Sequence, residues 1–265
     1  MSIVFSTCWY ALKAKFPETT YKQWIDNMLS SVVQYKLVLY TDSTSFSYFS
    51  RNYGNNPNIK IVVKPFENFY NYKHREFWIR NHDRNNLLKD KVGWEVNMLW
   101  SEKVHFVEET KNSNYFPKAD YYGWIDIGYF RCRPYYKDVS REQLREFPNP
   151  KKIRELNPAK IHYGLINTNM VYIEELIALI RQGKNIPANQ TSIGGGFFIG
   201  HERKIEEWKN RYTETMEMFI TENRLIKDDQ IILAQSIFTN LDFFELHVET
   251  QEKTDPWFLF SRKLL

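Results

Sequence analysis

Short apolar runs, rich in β-branched and aromatic residues, recur along the first part of the chain. Residues 3–5 (Ile-Val-Phe) predict an opening strand that ends in the hydroxyl residues Ser6 and Thr7. Residues 35–42 predict a second strand, and this one ends in an acid, Asp42. Ile59–Val63 predicts a third strand, which a proline closes two residues later.

Helical periodicity fills most of the intervals between these strands. Apolar side chains at positions 24, 25, 28 and 29 lie on one face of a helix that begins near Pro17. A second apolar stripe runs through positions 96, 99, 100, 104 and 107, with Lys103 beside it. Residues 66–84 mix aromatic and basic side chains, which indicates either a loop that holds an anion or a solvated surface. This order of strands and helices predicts a parallel sheet with crossover connections.

The most informative stretch is residues 120–131, Asp-Tyr-Tyr-Gly-Trp-Ile-Asp-Ile-Gly-Tyr-Phe-Arg. Tyr121–Ile125 has the composition of a buried strand, and the run stops at Asp126 and then Gly128. Ligands of open α/β sheets lie in the crevice outside the carboxyl ends of the strands, so Asp126 is placed to meet one. The alternative is that Asp126 only forms a turn or caps a helix.

The second half continues the same domain, because no flexible glycine- or serine-rich linker separates it from the first. Strand-like runs at 152–153 and 161–163 are followed by a helix at 173–182. Helices at 201–221 and 231–238 and a strand at 243–248 complete the pattern.

A run of glycines stands out at residues 192–200, Ser-Ile-Gly-Gly-Gly-Phe-Phe-Ile-Gly. Its spacing does not fit the dinucleotide fingerprint, and no strand precedes it with a helix opening at the third glycine, which excludes a Rossmann NAD site. Gly195 and Gly196 suit a backbone that a ligand approaches closely. A tight turn before a strand is the alternative.

Two adjacent acids, Asp228 and Asp229, precede the helix at 231–238 and are followed by Gln230. Acids at a helix N-terminus are expected from capping and from the helix dipole. Capping accounts for one of the two acids, so the other is a candidate functional carboxylate.

Composition narrows the class of protein. The 265 residues suffice for one large α/β domain, and the aromatic fraction of 17% is high enough to supply platforms for sugars or bases. A net charge of +4 gives no case for a nucleic-acid binder. Two cysteines, Cys8 and Cys132, are too few for a disulfide framework or a zinc site and favour a reducing compartment. With neither a signal peptide nor a membrane-spanning run, we expect a cytoplasmic protein.

Five segments in this order resemble the HtrL/YibB-like proteins, a group regarded as glycosyltransferases of the GT-A type. They are residues 5–9 (Phe-Ser-Thr-Cys-Trp), 39–42 (Leu-Tyr-Thr-Asp), 124–131 (Trp-Ile-Asp-Ile-Gly-Tyr-Phe-Arg), 194–200 (Gly-Gly-Gly-Phe-Phe-Ile-Gly) and 228–230 (Asp-Asp-Gln). The resemblance covers most of the chain, from residue 3 to about 248. The block at 124–131 is its most specific part.

The resemblance implies a single GT-A-like domain over residues 1–265, with a mostly parallel central sheet flanked by helices. Its nucleotide-binding half would be about 1–130, and its half for the acceptor and donor sugar about 131–265. The implied activity is transfer of a sugar, favouring a UDP-sugar donor, to a hydroxyl of a glycan or other acceptor. Surface polysaccharide or glycoprotein glycan synthesis would be the setting.

The family also implies an Asp-x-Asp motif that holds Mn²⁺ or Mg²⁺ against the donor diphosphate, because a divalent cation neutralises the charge of the leaving group. This chain departs from that motif, since Gly128 stands where the second acid would be. A metal ion would then need another ligand besides Asp126, and His247 is the expected one. The alternative is that arginine or lysine side chains neutralise the diphosphate without metal.

The same resemblance assigns roles to the other site residues. Ser6, Thr7 and Asp42 would line the nucleotide pocket, and the donor-binding set also includes Asp126, Gly128, Arg131, Lys103, Gly195, Gly196 and Gln230. Asp228 or Asp229 would face the reacting sugar, with Asp229 expected to be the functional acid. Two other classes stay open. The missing acid at Gly128 favours an inactive nucleotide-sugar-binding protein, while a nucleotidyltransferase should carry a glycine-rich, basic loop after the first strand, which is absent here.

Overall fold

The structure is a computed structural model that describes residues 1–131 and 139–265. Within that part of the chain, a single sheet contains the seven strands β1 Ile3–Trp9, β2 Lys36–Thr41, β3 Ile59–Val63, β4 Tyr121–Ile125, β5 Ile161–Leu165, β6 Ile193–His201 and β7 Phe244–Val248. Their order across the sheet is β3-β2-β1-β4-β6-β5-β7. Cys132 lies outside the described residues.

The sheet is mostly parallel, as predicted. β6 is the exception, because it runs antiparallel to both of its neighbours, β4 and β5. The chain leaves β1 toward β2 and β3 on one side and returns to place β4 on the other side of β1. The strand order therefore reverses between β1 and β4, and a crevice at the carboxyl ends of these two strands is where α/β sheets bind ligands.

Helices cover both faces of the sheet. They are α1 Glu18–Leu29, α2 Ser43–Tyr53, α3 Arg75–Arg84, α4 Trp94–Trp100, α5 Lys103–Asn112, α6 Arg141–Leu144, α7 Pro150–Arg154, α8 Met170–Arg181, α9 Glu202–Thr221, α10 Asp229–Thr239 and α11 Phe260–Lys263. Shorter 3₁₀ turns lie at Phe66–Asn68, Tyr70–His74, Leu241–Phe243 and Pro256–Phe258. Within the described ranges, no helix combines the length and apolarity needed to cross a membrane.

Alternate residues of the central strands feed two hydrophobic cores. On β4, Tyr122 and Trp124 pack into the core beneath α5, α9 and α10, whereas Tyr121 and Ile125 point into the core on the opposite face. Because both faces of the sheet are buried, the strand sequences are almost continuously apolar rather than alternating.

Three local predictions need correction. Residues 66–84, expected to be a loop, form two 3₁₀ turns and then helix α3. The stripe expected to lie on one helix is divided between α4 and α5, and the break leaves Lys103 at the first position of α5. The strand-like run at 152–153 lies in helix α7, which Asn149 caps and a proline begins.

Candidate active site

A cavity of about 300 Å³ opens at the carboxyl ends of β1 and β4. Its floor consists of charged and glycine residues from four separate segments, and its walls are largely aromatic. The floor contains Lys103, Asp126, Gly195, Gly196, Asp228 and Asp229, and the walls contain Trp9, Tyr10, Phe16, Tyr21, Trp100, Trp124, Trp257 and Phe258. The topology alone thus brings the strand-end acid, the glycine run and the acid pair to one place.

A buried lysine joins these elements. The Nζ atom of Lys103 lies 3.1 Å from Oδ1 of Asp126 and 2.9 Å from Oδ2 of Asp229. It also donates a hydrogen bond of 2.9 Å to the carbonyl oxygen of Gly195. One ammonium group therefore links the start of α5 to the end of β4, the middle of β6 and the start of α10.

Asp126 is held in place by the strand it follows. Its Oδ1 atom accepts a hydrogen bond of 2.7 Å from Nε1 of Trp124, whose ring is buried in the core. Its backbone N–H donates to the carbonyl of Gly196, and its own carbonyl accepts from the N–H of Tyr129. Three hydrogen bonds fix the residue, while about a third of its side chain remains exposed to the cavity.

The two acids at the start of α10 have different environments. Asp228 occupies the N-cap position, but its side chain makes no capping hydrogen bond and its Oδ2 atom instead lies 3.3 Å from Nζ of Lys227. Asp229 is the first helical residue, is only 5% exposed and pairs with Lys103. The expectation that one acid serves as a cap is therefore not met, and both carboxylates reach the cavity.

The glycine run lies inside β6 and not in a tight turn. A Cβ atom at Gly195 would stand 2.7 Å from Oδ2 of Asp229, and one at Gly196 would stand 3.2 Å from Oδ2 of Asp126. The space that these side chains would fill is thus taken by the two carboxylates. Glycine is required here for close approach and not for an unusual backbone angle.

Burial and mutual contact decide the charges in the cavity floor. Burial raises the pKa of Asp229 to about 6, and Lys103 limits this rise. Burial opposes a charge on Lys103, but Asp126 and Asp229 outweigh it and hold the pKa of this ammonium group above its ordinary value. Burial, with Asp126 nearby, also raises the pKa of the Cys8 thiol, so this cavity residue is not a thiolate nucleophile at neutral pH.

A family model described as "Bacterial protein of unknown function (HtrL_YibB)" matches residues 9–262. The chain belongs to the HtrL/YibB family. The resemblance seen in the sequence is thereby confirmed. Among curated proteins, none matches the chain.

Among solved structures, this HtrL/YibB chain is similar to the apo form of mouse xyloside xylosyltransferase 1, with a TM-score of 0.50 and 10% sequence identity. The match covers 93% of this chain and 85% of the mouse protein. At this identity the likeness concerns the fold alone, which is GT-A-like. The predicted fold class is confirmed.

The place of the second acid expected from the GT-A motif is closed in this family member. A Cβ atom at Gly128 would stand 3.0 Å from the Trp24 ring and 3.2 Å from Nη2 of Arg131. Nε of Arg131 donates to the Gly128 carbonyl, and the guanidinium lies over the Trp24 ring at 4.2 Å. A cation and an indole therefore occupy the surroundings in which a second carboxylate would stand.

Three residues assigned to the nucleotide pocket from the family resemblance do not line the cavity. Ser6 is fully buried and donates a hydrogen bond of 2.8 Å to Oγ1 of Thr110, and Thr7 is fully buried as well. Asp42 caps α2 by accepting from the Ser45 N–H, and its other oxygen accepts from the N–H of Ala11. Asp42 thus positions the segment after β1 without reaching the cavity.

The structure does not bring His247 to Asp126. His247 lies on β7, and β5 and β6 separate that strand from β4. At the ordinary spacing of strands, three intervals correspond to roughly 14 Å. His247 is buried against His162 and Phe260, and burial lowers its pKa to about 3. A metal ion shared by Asp126 and His247 does not fit this geometry.

Sequence reasoning missed part of the cavity wall. Lys15 follows β1 and places its Nζ atom 4.6 Å above the Trp100 ring. Trp257 and Phe258 come from the 3₁₀ turn near the end of the chain and also line the cavity. The basic and aromatic composition of residues 9–16 was the one available signal. Gln230, which was predicted, also lines the cavity.

Proposed function

We propose that this chain is a glycosyltransferase that moves a sugar from a nucleotide-sugar donor, with UDP-sugars favoured, to a hydroxyl group of a glycan or other acceptor. The observation that carries the proposal is the buried arrangement of Lys103 between Asp126 and Asp229, above glycines, at the strand-order reversal of a GT-A-like sheet. Burying the charges of Lys103 and Asp229 contributes little to stability compared with apolar packing, so their presence in a cleft favours a functional role.

The two sides of the cavity support a division of labour between the halves of the domain. Residues of about 1–130 supply Trp9, Tyr21 and Trp100, which are aromatic surfaces suited to a base or sugar ring. Residues of about 131–265 supply the glycine floor, the acid pair and Trp257. We therefore assign the nucleotide to the first set and the donor sugar and acceptor to the second.

The described residues do not fit the two-carboxylate metal site of the GT-A motif. Among the described residues that follow β4, up to 131, Asp126 is the one acid, and its Oδ1 atom is contacted by Trp124 and Lys103. Arg131 and Lys15 also line the cavity. We propose that these basic side chains neutralise the diphosphate, because charge-assisted hydrogen bonds to phosphate are strong and need no ion.

Chelation tests this cation assignment. We expect transfer to continue in excess chelator and Mn²⁺ or Mg²⁺ to change the rate little. Loss of transfer in chelator, with recovery on adding Mn²⁺ but not Zn²⁺, would show that a metal ion carries the diphosphate.

Asp229 is the carboxylate that we assign to the reacting sugar. With a pKa of about 6 it is mostly ionised at neutral pH, as required either to accept the proton of the acceptor hydroxyl or to stabilise positive charge at the anomeric carbon. Asp229→Asn should lower transfer about 10²–10⁴-fold while donor binding persists. Asp228→Asn, one residue away, leaves Asp229 paired with Lys103 and should lower transfer much less than Asp229→Asn does.

The deciding experiment combines binding and turnover. Thermal-shift measurements with UDP-, GDP- and CMP-sugars should show stabilisation by UDP-sugars, and the stabilising donor is then used in transfer assays with glycan acceptors. Parent-like transfer by Asp229→Asn would remove Asp229 from the chemistry. Stabilisation without any transfer or donor hydrolysis would favour the second candidate, an inactive nucleotide-sugar-binding protein, for which Gly128 in place of an acid is the supporting feature.

A further inference from the structure

A second cluster of ligand-type side chains lies away from the cavity, on the edge of the sheet formed by β7. Strands β5 and β7 run parallel, with His162 opposite Glu245 and Gly164 opposite His247. Residues two apart on a strand face the same side of a sheet. His162, Glu245 and His247 therefore project together from one face.

The polar atoms of these side chains converge on one point. Nδ1 of His162 lies 2.9 Å from Nε2 of His247. The two carboxylate oxygens of Glu245 lie 3.7 Å from the His162 nitrogen and 3.8 Å from the His247 nitrogen. One ligand atom from each residue can be chosen so that all three lie within 4.8 Å of one another. This is the spacing of atoms around a single cation.

A backbone carbonyl orients the ring of His162. Nε2 of His162 lies 3.0 Å from the carbonyl oxygen of Asn157, which can only accept a hydrogen bond. Nε2 therefore carries the proton, and Nδ1 directs its lone pair into the cluster. Donation of the second ring N–H to a carbonyl is the arrangement that fixes metal-binding histidines, and the complete burial of His162 holds the ring in that position.

We propose that His162, Glu245 and His247 bind a divalent transition-metal ion of the zinc class. Two imidazoles and one carboxylate favour Zn²⁺, Co²⁺ or Ni²⁺ over Mg²⁺ or Ca²⁺, which prefer oxygen ligands. Zn–N bonds of about 2.0–2.1 Å set tetrahedral nitrogens roughly 3.3 Å apart, so the two rings separate by a few tenths of an ångström on binding. The proton on Nε2 of His247 moves to Nδ1 of the same ring as the metal takes its place.

The ion would fasten the edge strand β7 to β5. Glu245 has a side chain 42% exposed to solvent, which gives the ion an entry path and leaves room for water as a further ligand. None of the three residues lines the cavity, so this site is independent of the proposed transfer reaction.

The test uses the full, untagged chain after removal of metal. Titration calorimetry with Zn²⁺, and visible absorption with Co²⁺, should show one site per chain in the parent protein. Glu245→Gln should weaken Zn²⁺ binding at least about tenfold, and His247→Gln should abolish it. His82→Gln on α3 and Asp126→Asn in the cavity are controls that should retain the parent affinity.

Glu245→Gln keeps the test decisive if His247→Gln fails to fold, because Glu245 is partly exposed. A parent protein without a stoichiometric Zn²⁺ site overturns the proposal and leaves a hydrogen-bonded histidine pair. Undiminished affinity in Glu245→Gln, or a loss of the site in Asp126→Asn, also overturns it, since the ion would then lie elsewhere.

Discussion

Replacing Lys103 with methionine tests the electrostatic centre of the cavity. The substitution keeps most of the side-chain volume but removes the ammonium group that contacts Asp126, Asp229 and the Gly195 carbonyl at 2.9–3.1 Å. Removing one partner of a buried ion pair costs about 3–5 kcal/mol, because the remaining charge is left without compensation. We expect the free energy of unfolding of Lys103→Met to fall by that amount at pH 8.

The loss should depend on pH in a defined direction. In the parent protein Asp229 has a pKa of about 6, above the value of about 3.9 for an unfolded aspartate. Without Lys103 this pKa rises further, so the folded variant binds a proton above pH 6 and the unfolded chain does not. Between pH 6 and the new pKa, each unit of acidification should stabilise the variant by about 1.4 kcal/mol, whereas over the same range this group should stabilise the parent by only about 0.4 kcal/mol in total.

Urea unfolding at pH 6, 7 and 8 measures both quantities. Lys15→Met is the matched control. Lys15 lines the same cavity but is exposed, and the contact described for its ammonium group is with the face of the Trp100 ring. Its loss should stay below about 1 kcal/mol and should vary with pH much less than that of Lys103→Met, because the charge of Asp229 acts on Lys15 without a direct contact. If Lys103→Met loses less than about 1 kcal/mol, or loses equally at pH 6 and 8, the buried ion-pair interpretation is refuted.

Three further outcomes follow from the cavity floor. Gly195→Ala would place a Cβ atom 2.7 Å from the Asp229 carboxylate, so it should lower the free energy of unfolding in urea by about 1–3 kcal/mol and should also lower the rate of transfer. Gly196→Ala would place a Cβ atom 3.2 Å from the Asp126 carboxylate, so its effects on stability and on transfer should both be smaller. Asp126→Asn should abolish turnover and keep about the melting temperature of the parent, because a third of the Asp126 side chain is exposed and Oδ1 of asparagine can still accept the hydrogen bond from Trp124. Full activity of this variant would remove Asp126 from the mechanism. The transfer rate of the parent should rise between pH 5 and 7 with an apparent pKa near 6 as Asp229 ionises, and a rate that is flat over this range would contradict the assigned role.

The centre of the sheet could be predicted from the sequence because its strands are buried on both faces. Tyr121–Ile125 is a continuous apolar run that is buried along its whole length. Ile59–Val63 lies at the edge of the sheet and is apolar except for Lys60, and the structure gives both strands the predicted bounds. The predicted ends of the helices were less accurate where one apolar stripe continues across the break between two helices. Val96 and Val104 share a periodicity, yet Ser101 and Glu102 divide their helices.

The contents of the cavity were less predictable, because they depend on contacts between distant segments. Gly195 lies in a strand, and the Asp229 carboxylate fills the place that a side chain at this position would take. No local sequence pattern indicates that contact. Asp42 follows a strand, as a ligand-binding acid would, but its carboxylate caps α2 and accepts a hydrogen bond from the N–H of Ala11. His247 and Asp126 both end up near the same end of the sheet, but strand order keeps them apart.

The walls of the cavity also have a consequence for how the protein is made. Trp9 follows the first strand, whereas Trp257 belongs to a turn that is synthesised after all seven strands. A ribosome-bound chain therefore has no complete cavity until residues 256–258 have emerged and docked. A ligand bound in the finished cavity would connect both regions, and at a hundred times its dissociation constant it would add about 2.7 kcal/mol to the stability of the whole domain. Ligand concentration in the cell would then influence how long each newly completed molecule survives proteolysis.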